Sequence, residues 1–182
     1  MRGEGYANIP CDLSILKENK ISYSWNTLRV GKKYDLFDNV QISDYAAQYL
    51  SEHPQETNQF IAELVCCDKT MLIDDILNKV ADVFDNKIEP DSVAWLLEKR
   101  KLQFCILMYL KRHALDDREL LDKIAQVYED FDFPKDMEGF IYYMSAKNFN
   151  PLEHSQQECI QRLRKLFEDF LINEKKFLVE IK

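Results

Sequence analysis

Glycine is scarce in this chain: four residues in 182, at positions 3, 5, 31 and 139. Loops that cradle phosphate need glycine, because the backbone must approach the ligand closely. These four form no cluster, so a P-loop or a dinucleotide-binding fingerprint is excluded. Proline is nearly as rare, at five residues, and with so little of either residue a loop-rich or all-β design is disfavoured. Cys11, Cys66, Cys67, Cys105 and Cys159 are odd in number and contain no C-x-x-C pair. That is not the framework of a disulfide-stapled secreted domain. The adjacent Cys66 and Cys67 read as small buried apolar side chains, and Cys105 and Cys159 as core. His53, His113 and His154 stand far apart, with no H-x-x-x-H or E-x-x-H pairing, so no metal and no cofactor are expected. MRGEGYANIPCDL holds no apolar run of the kind a signal peptide needs, so none is expected there. The most apolar stretch, residues 102–110, is too short to span a bilayer. The cytoplasm is the expected compartment, with no membrane contact.

Apolar residues make up 46% of the chain and aromatics 12%, enough for a packed core without staples. The net charge is −8. That balance disfavours direct nucleic-acid binding, which needs cations against phosphate. It suits steering toward a basic partner.

The longest helix-compatible run is residues 91–112, DSVAWLLEKRKLQFCILMYLKR. At 1.5 Å per residue it would span about 33 Å. Its second half is apolar on every side, so it should be buried among other helices. Pro90 suits its first turn, and Lys99, Arg100 and Lys101 mark a candidate break.

Other helices follow from periodicity. A short one is expected from Pro10 to Leu16. Ile21, Trp25 and Leu28 mark another over residues 22–30, with Gly31 placed to end it. Ile42, Tyr45, Ala46, Tyr49, Leu50 and His53 form one stripe, closed by Pro54. Phe60, Ile61, Leu64 and Val65 form the next, over residues 55–67. Leu72, Ile73, Ile76, Leu77, Val80 and Phe84 form a third. Asp116 and Glu119 have capping-box spacing, ahead of Leu120, Leu121, Ile124, Val127, Tyr128 and Phe131. Pro134 opens a short helix with Met137, Phe140, Ile141 and Met144. Asn150, Pro151 and Glu153 supply a strong start signal for a helix carrying Cys159, Ile160, Leu163, Leu166, Phe167, Phe170 and Leu171. Trp25 and Trp95 read as core aromatics. The expected fold is all-α: one domain, residues 1–182, of eight or nine helices around the buried 91–112 helix. Stacked helical hairpins are one form of it. Residues 1–8 read as a frayed end, and residues 176–182 as a tail whose alternation would suit a short strand.

The most informative feature is acidic. Residues 116–138 hold nine carboxylates against Arg118, Lys123 and Lys135, a local charge of −6 out of the chain's −8. Helix caps and dipoles explain acids in first turns. Glu129, Asp130 and Asp132 instead lie near a helix end, where the dipole disfavours them. Asp116, Asp117, Glu129, Asp130, Asp132, Asp136 and Glu138 are therefore expected to contribute to a docking surface for a basic protein. The competing reading is a solvated face with no partner. The basic clusters at Lys99-Arg100-Lys101, Lys111-Arg112 and Arg162-Arg164-Lys165 read as solvated helix faces. No catalytic residue is indicated.

Ile21, Trp25, Leu28 and Gly31 in ISYSWNTLRVG, then Ile42, Ala46 and Leu50 in ISDYAAQYL, then Ile61, Glu63 and Leu64 resemble an all-helical bacterial family. Some of its members sit in polymorphic toxin loci as immunity proteins. The likeness is clearest over the first third of the chain and transfers no toxin-contact residue. It implies a cytosolic immunity protein of a contact-dependent growth inhibition system or a related one. Such a protein binds and neutralises a cognate toxin C-terminal domain stoichiometrically, without turnover. Many such toxins are nucleases with basic clefts, RNases of EndoU type among them. Acidic inhibitors suit them, because carboxylates occupy the place of phosphates. A helical adaptor or scaffold for another protein is the alternative, and a carboxylate-metal hydrolase the third reading.

Overall fold

The computed structural model describes residues 13–66, 73–146 and 148–180. Among these residues there are eight α-helices, two 3-10 helices and no strand. The all-α class is the one expected. Within the domain expected over residues 1–182, contacts group the chain into two compact units, Cys11–Leu102 and Gln103–Lys182.

The first unit holds α1 (Ser14–Glu18), α2 (Trp25–Lys33), α3 (Asn39–Glu52), α4 (Gln59–Cys66) and α5 (Ile73–Asp85), together with the start of α6 (Val93–His113). Residues 10–12 of the expected first helix lie outside the described residues, and α1 runs on to Glu18. Helix α2 starts at a capping box. Ser24 Oγ accepts from the Asn26 amide at 3.2 Å, and the Ser24 amide donates to Thr27 Oγ1 at 2.9 Å. Asp38 and Gln41 repeat the device on α3. Asn58 Oδ1 accepts from the Phe60 amide at 2.9 Å, so α4 begins at Gln59 rather than at 55. Buried Ile42, Ala46, Ile61, Leu64, Leu77 and Val80 confirm the three apolar stripes. Leu72 and Cys67 lie outside the described residues, and Cys66 is exposed rather than buried.

Gly31 does not end α2. The helix continues to Lys33 and closes on Asp35, which takes a left-handed φ of 54°. The Leu36 amide then donates to the Gly31 carbonyl at 2.8 Å and the Asp35 amide to Lys32 at 3.1 Å, a Schellman closure. Gly31 is needed for a different reason. A Cβ there would sit 2.2 Å from two ring carbons of Phe37, itself buried.

The polar interior of this unit centres on Asn26 and Arg29, both buried on α2. The Asn26 amide donates to Asp85 Oδ2 at 3.1 Å, and Asn26 Oδ1 accepts from the Ile88 amide at 3.3 Å. Arg29 donates from Nε to Asn78 Oδ1 at 2.6 Å, and from Nη1 to Asn26 Oδ1 at 2.9 Å and the Ile88 carbonyl at 3.0 Å. Its guanidinium lies 5.7 Å from the Trp95 ring centroid. Trp25 packs against Tyr45 and Tyr49, centroids 4.7 and 5.2 Å away. Both tryptophans are core, as expected.

Helix α6 is continuous through Lys99, Arg100 and Lys101, so no break occurs there. Those residues are half-buried rather than fully solvated. Lys101 pairs with Glu98 at 2.7 Å, and Lys99 Nζ lies 4.8 Å from the Tyr34 ring centroid. Pro90 precedes the helix by a turn instead of occupying its first position. Leu102, Phe104, Cys105, Ile106, Leu107 and Leu110 are buried, as the all-round apolar pattern required.

The second unit holds the rest of α6, α7 (Asp117–Asp130), 3-10 helices at Lys135–Phe140 and Pro151–Glu153, and α8 (Gln156–Glu180). The Lys135–Phe140 turn packs on α8, with Phe140 5.5 Å from Phe167 and 5.1 Å from Phe170. Asn150 caps a 3-10 turn rather than a long helix: its Oδ1 accepts from the Leu152 amide at 3.2 Å. The start of α8 is five residues on. There the Ser155 amide donates to Glu158 Oε2 at 2.8 Å and the Glu158 amide to Ser155 Oγ at 3.3 Å. Residues 176–180 are the last turns of α8, not a strand.

Gly31→Ala should destabilise the chain by about 1–3 kcal/mol, because overpacking against Phe37 outweighs the better helix propensity of alanine. Urea unfolding of the two proteins measures this; an unchanged or raised midpoint would show that Phe37 yields without cost.

Candidate functional site: an acidic and aromatic helix end

The seven carboxylates expected to form one surface occupy distinct places around α7. That helix is about 20 Å long, with Asp116 and Asp117 at one end and Glu129 and Asp130 at the other. Asp116 is the N-cap, its Oδ1 accepting from the Glu119 amide at 2.9 Å. Glu119 does not return the bond to Asp116. Its Oε2 accepts from the Leu115 amide at 2.6 Å, and Lys123 pairs with it at 2.7 Å. The lysine and the Leu115 amide hold the Glu119 carboxyl below its ordinary range. Asp117 is bound by Arg164 on α8. The N-terminal acids thus have local structural roles.

The C-terminal end carries aromatics beside its acids. Helix α7 closes with Asp132 and Phe133 both left-handed, φ 60° and 56°. The Asp132 amide donates to the Glu129 carbonyl at 3.1 Å and the Phe133 amide to Tyr128 at 2.9 Å, again a Schellman closure. A left-handed phenylalanine is unusual, and the conformation costs energy that glycine would avoid. Phe133 packs edge-on to buried Tyr128, centroids 5.3 Å apart, yet remains 58% exposed. The segment after the Lys135–Phe140 turn brings Tyr142 and Tyr143 to the same place, 54% and 46% exposed. Tyr143 lies 6.4 Å from Tyr128, centroid to centroid, and its hydroxyl donates to Glu129 Oε1 at 3.1 Å.

Partial burial, that hydrogen bond and the Glu129 charge push the Tyr143 hydroxyl up to about 12. It is therefore a proton donor to Glu129 at any physiological pH. No basic residue stands in the last turn of α7. The carboxylates of Glu129 and Asp130 accordingly face the negative end of the helix dipole. Asp136 and Glu138 begin the following 3-10 helix, where acids are favourable. Glu138 also lines a cavity together with Lys135 and Arg162.

Beside Tyr142 lies a cavity of about 350 Å³, lined by Leu121, Cys159, Ile160 and Leu163 with Arg118 and Asp122. It explains why Cys159, Ile160 and Leu163, expected in the core, are only half-buried. Charge identifies Glu129, Asp130 and Asp132 from the sequence. Phe133, Tyr142, Tyr143 and the cavity are the part that sequence reasoning missed. The adjacent Tyr142 and Tyr143, which cannot both point inward on one element, were the available signal. Chemically the arrangement is acceptor-rich and rimmed by aromatics, with an apolar recess alongside.

Among the described residues no group of three His, Cys, Asp or Glu side chains could hold a metal ion. No described helix is long and apolar enough to cross a membrane.

The described residues form an all-helical protein in which carboxylates and exposed aromatics meet at the end of α7. The chain belongs to the bacterial family DUF2247, described as an uncharacterized protein conserved in bacteria, which it matches over residues 13–175. That description names no toxin or immunity system. No curated protein and no solved structure matches the chain.

Asp132→Gly should stabilise the protein by about 0.5–1 kcal/mol, since glycine removes the left-handed penalty; a loss of stability on chemical unfolding would mean that the Asp132 side chain is structurally required. Glu129→Gln should lower the Tyr143 pKa toward its ordinary value of 10.0. The stability that Tyr143 contributes is present below that value and is lost as pH rises through about 12. Alkaline titration at 295 nm, with Tyr143→Phe to assign the signal, reads the shift; an unmoved titration would contradict the hydrogen bond.

Proposed function

We propose that the chain is a non-catalytic binding protein that docks a basic protein partner on the C-terminal end of α7. The observation that carries this reading is the exposure of Phe133, Tyr142 and Tyr143 around Glu129, Asp130 and Asp132. Exposed aromatics supply the desolvated anchors that dominate protein interfaces. Carboxylates around them steer a cationic partner and set its register. The left-handed Asp132 and Phe133 hold an aromatic outward at a cost in backbone energy, which is reasonable at a binding surface. The cavity beside Tyr142 would take an apolar side chain of the partner.

In its specific form, the partner is the C-terminal toxin domain of a polymorphic toxin system, a basic nuclease, and the chain is its cytoplasmic immunity protein. This form rests on the resemblance in the first third of the chain. An RNase of EndoU type is one such nuclease. A helical adaptor that uses the same face for another basic protein is the second reading, favoured by the same exposed aromatics.

The test expresses the C-terminal domain encoded by the adjacent upstream gene in bacteria, with and without this chain. Growth arrest alone and rescue together are the expected result. Glu129→Lys combined with Asp132→Lys should weaken the complex by 10-fold or more and abolish rescue, while Glu52→Lys leaves both intact. A toxic neighbour that the chain fails to rescue would overturn the immunity form. An unchanged affinity in the charge-reversed variant would overturn the docking face itself.

A further inference from the structure

A second cavity, of about 280 Å³, lies in the first unit and is lined by Arg29, Lys32, Lys33, Asp74, Leu77, Asn78, Pro90 and Trp95. It is the electrostatic opposite of the α7 surface. Three cations and one carboxylate line it, in a chain whose net charge is −8. Helix α2 supplies all three cations and has no acidic residue along its length.

Arg29 gives the cavity a built anchor. The side chain is only 8% exposed, and its orientation is fixed by bonds from Nε and Nη1 to Asn78, Asn26 and the Ile88 carbonyl. A guanidinium carries five N–H donors, and these three acceptors use three of them. Among the described residues the two donors on Nη2 have no acceptor. Asn78 accepts from Arg29 through its oxygen, which leaves its amide NH₂ group available on the cavity wall. Lys32 and Lys33 make no ion pair among the described residues. Burial lowers the Arg29 pKa, and the charges of Glu89 and Asp82 only partly restore it. The Nη2 donors are not buried, so they stand open to solvent, where the oxygens of an anion would make charge-assisted hydrogen bonds to them.

We propose that this cavity is a binding site for a dianionic phosphoryl group, held by Arg29 Nη2, the Asn78 amide and the ammonium groups of Lys32 and Lys33. Three cations line the cavity against one carboxylate, Asp74, with Glu89 and Asp82 near enough to act on Arg29. A carboxylate offers two oxygens to these donors, where a phosphoryl group offers three. Leu77, Pro90 and Trp95 form an apolar wall beside the donors that would accept the body of an ester. The site is independent of the α7 surface and of any protein partner.

The test uses the full chain and thermal unfolding. Inorganic phosphate at ten times its Kd should raise Tm by about 3–5 °C, against sodium chloride at equal ionic strength. Lys32→Gln with Lys33→Gln alters only the partly exposed members and should abolish the rise while leaving the unliganded Tm unchanged within about 1–2 °C. This pair keeps the test valid should Arg29→Gln fail to fold. Phenyl phosphate separates the sources: a larger rise than with phosphate assigns a phosphate ester, and a smaller one assigns the free ion. An equal rise with acetate or chloride, or a phosphate response that survives in the lysine variant, would overturn the proposal.

Discussion

An α-helix leaves its last carbonyls without partners, and the usual remedy is a left-handed residue that turns the chain back over them. Glycine fills that position at the lowest cost. Here it falls to Lys20, Asp35 and Asp132, with φ between 54° and 60°. All three closures have the same bond pair: Ile21 to Leu16 and Lys20 to Lys17 after α1, Leu36 to Gly31 and Asp35 to Lys32 after α2, and Phe133 to Tyr128 and Asp132 to Glu129 after α7. Each accepts backbone strain to satisfy carbonyls that would otherwise be orphaned. Each also directs the next residue: Ile21 and Leu36 into the core, but Phe133 outward. The same device therefore builds the interior at two helix ends and a protruding aromatic at the third.

That third end is where the chain departs from local economy. Carboxylates stand at the negative pole of α7, an exposed phenylalanine occupies a left-handed position, and two tyrosines sit half in water beside an apolar recess. Each choice costs some stability, and together they make a surface suited to a cationic, partly apolar partner. The Arg29 cavity in the other unit concentrates positive charge by a related strategy, fixing a buried side chain so that only part of its donor set is used. The two surfaces suit ligands of opposite charge, so salt and anions should act on them separately.

Much of the helix plan was legible in the residues. The stripes of α3, α5 and α7 survive as periodic apolar residues because each buries one face whatever its neighbours are. The all-round apolar half of α6 was legible for the same reason. Features set by distant contacts were not. Gly31 resembles a terminator, but its role comes from Phe37 six residues on. Asn150, Pro151 and Glu153 carry a start signal, yet they close a 3-10 turn, and Ser155 with Glu158 starts α8. Arg29 on a helix reads as surface, because only the fold brings Asn78, Ile88 and Trp95 around it. At the candidate site, the charge of Glu129, Asp130 and Asp132 was visible. Its division from Asp116 and Asp117 by the length of α7, and its union with Phe133, Tyr142 and Tyr143, required the turns between.

The central claim is that the end of α7 is a receptor for basic protein surface. A direct measurement is a ¹⁵N–¹H titration of the full chain with a short peptide of lysine, arginine and tryptophan. Shifts concentrated on Glu129, Asp130, Asp132, Phe133, Tyr142 and Tyr143, weakened by added salt, are the expected result. Shifts spread evenly over the acidic surface, or centred on Asp116 and Asp117, would contradict the account.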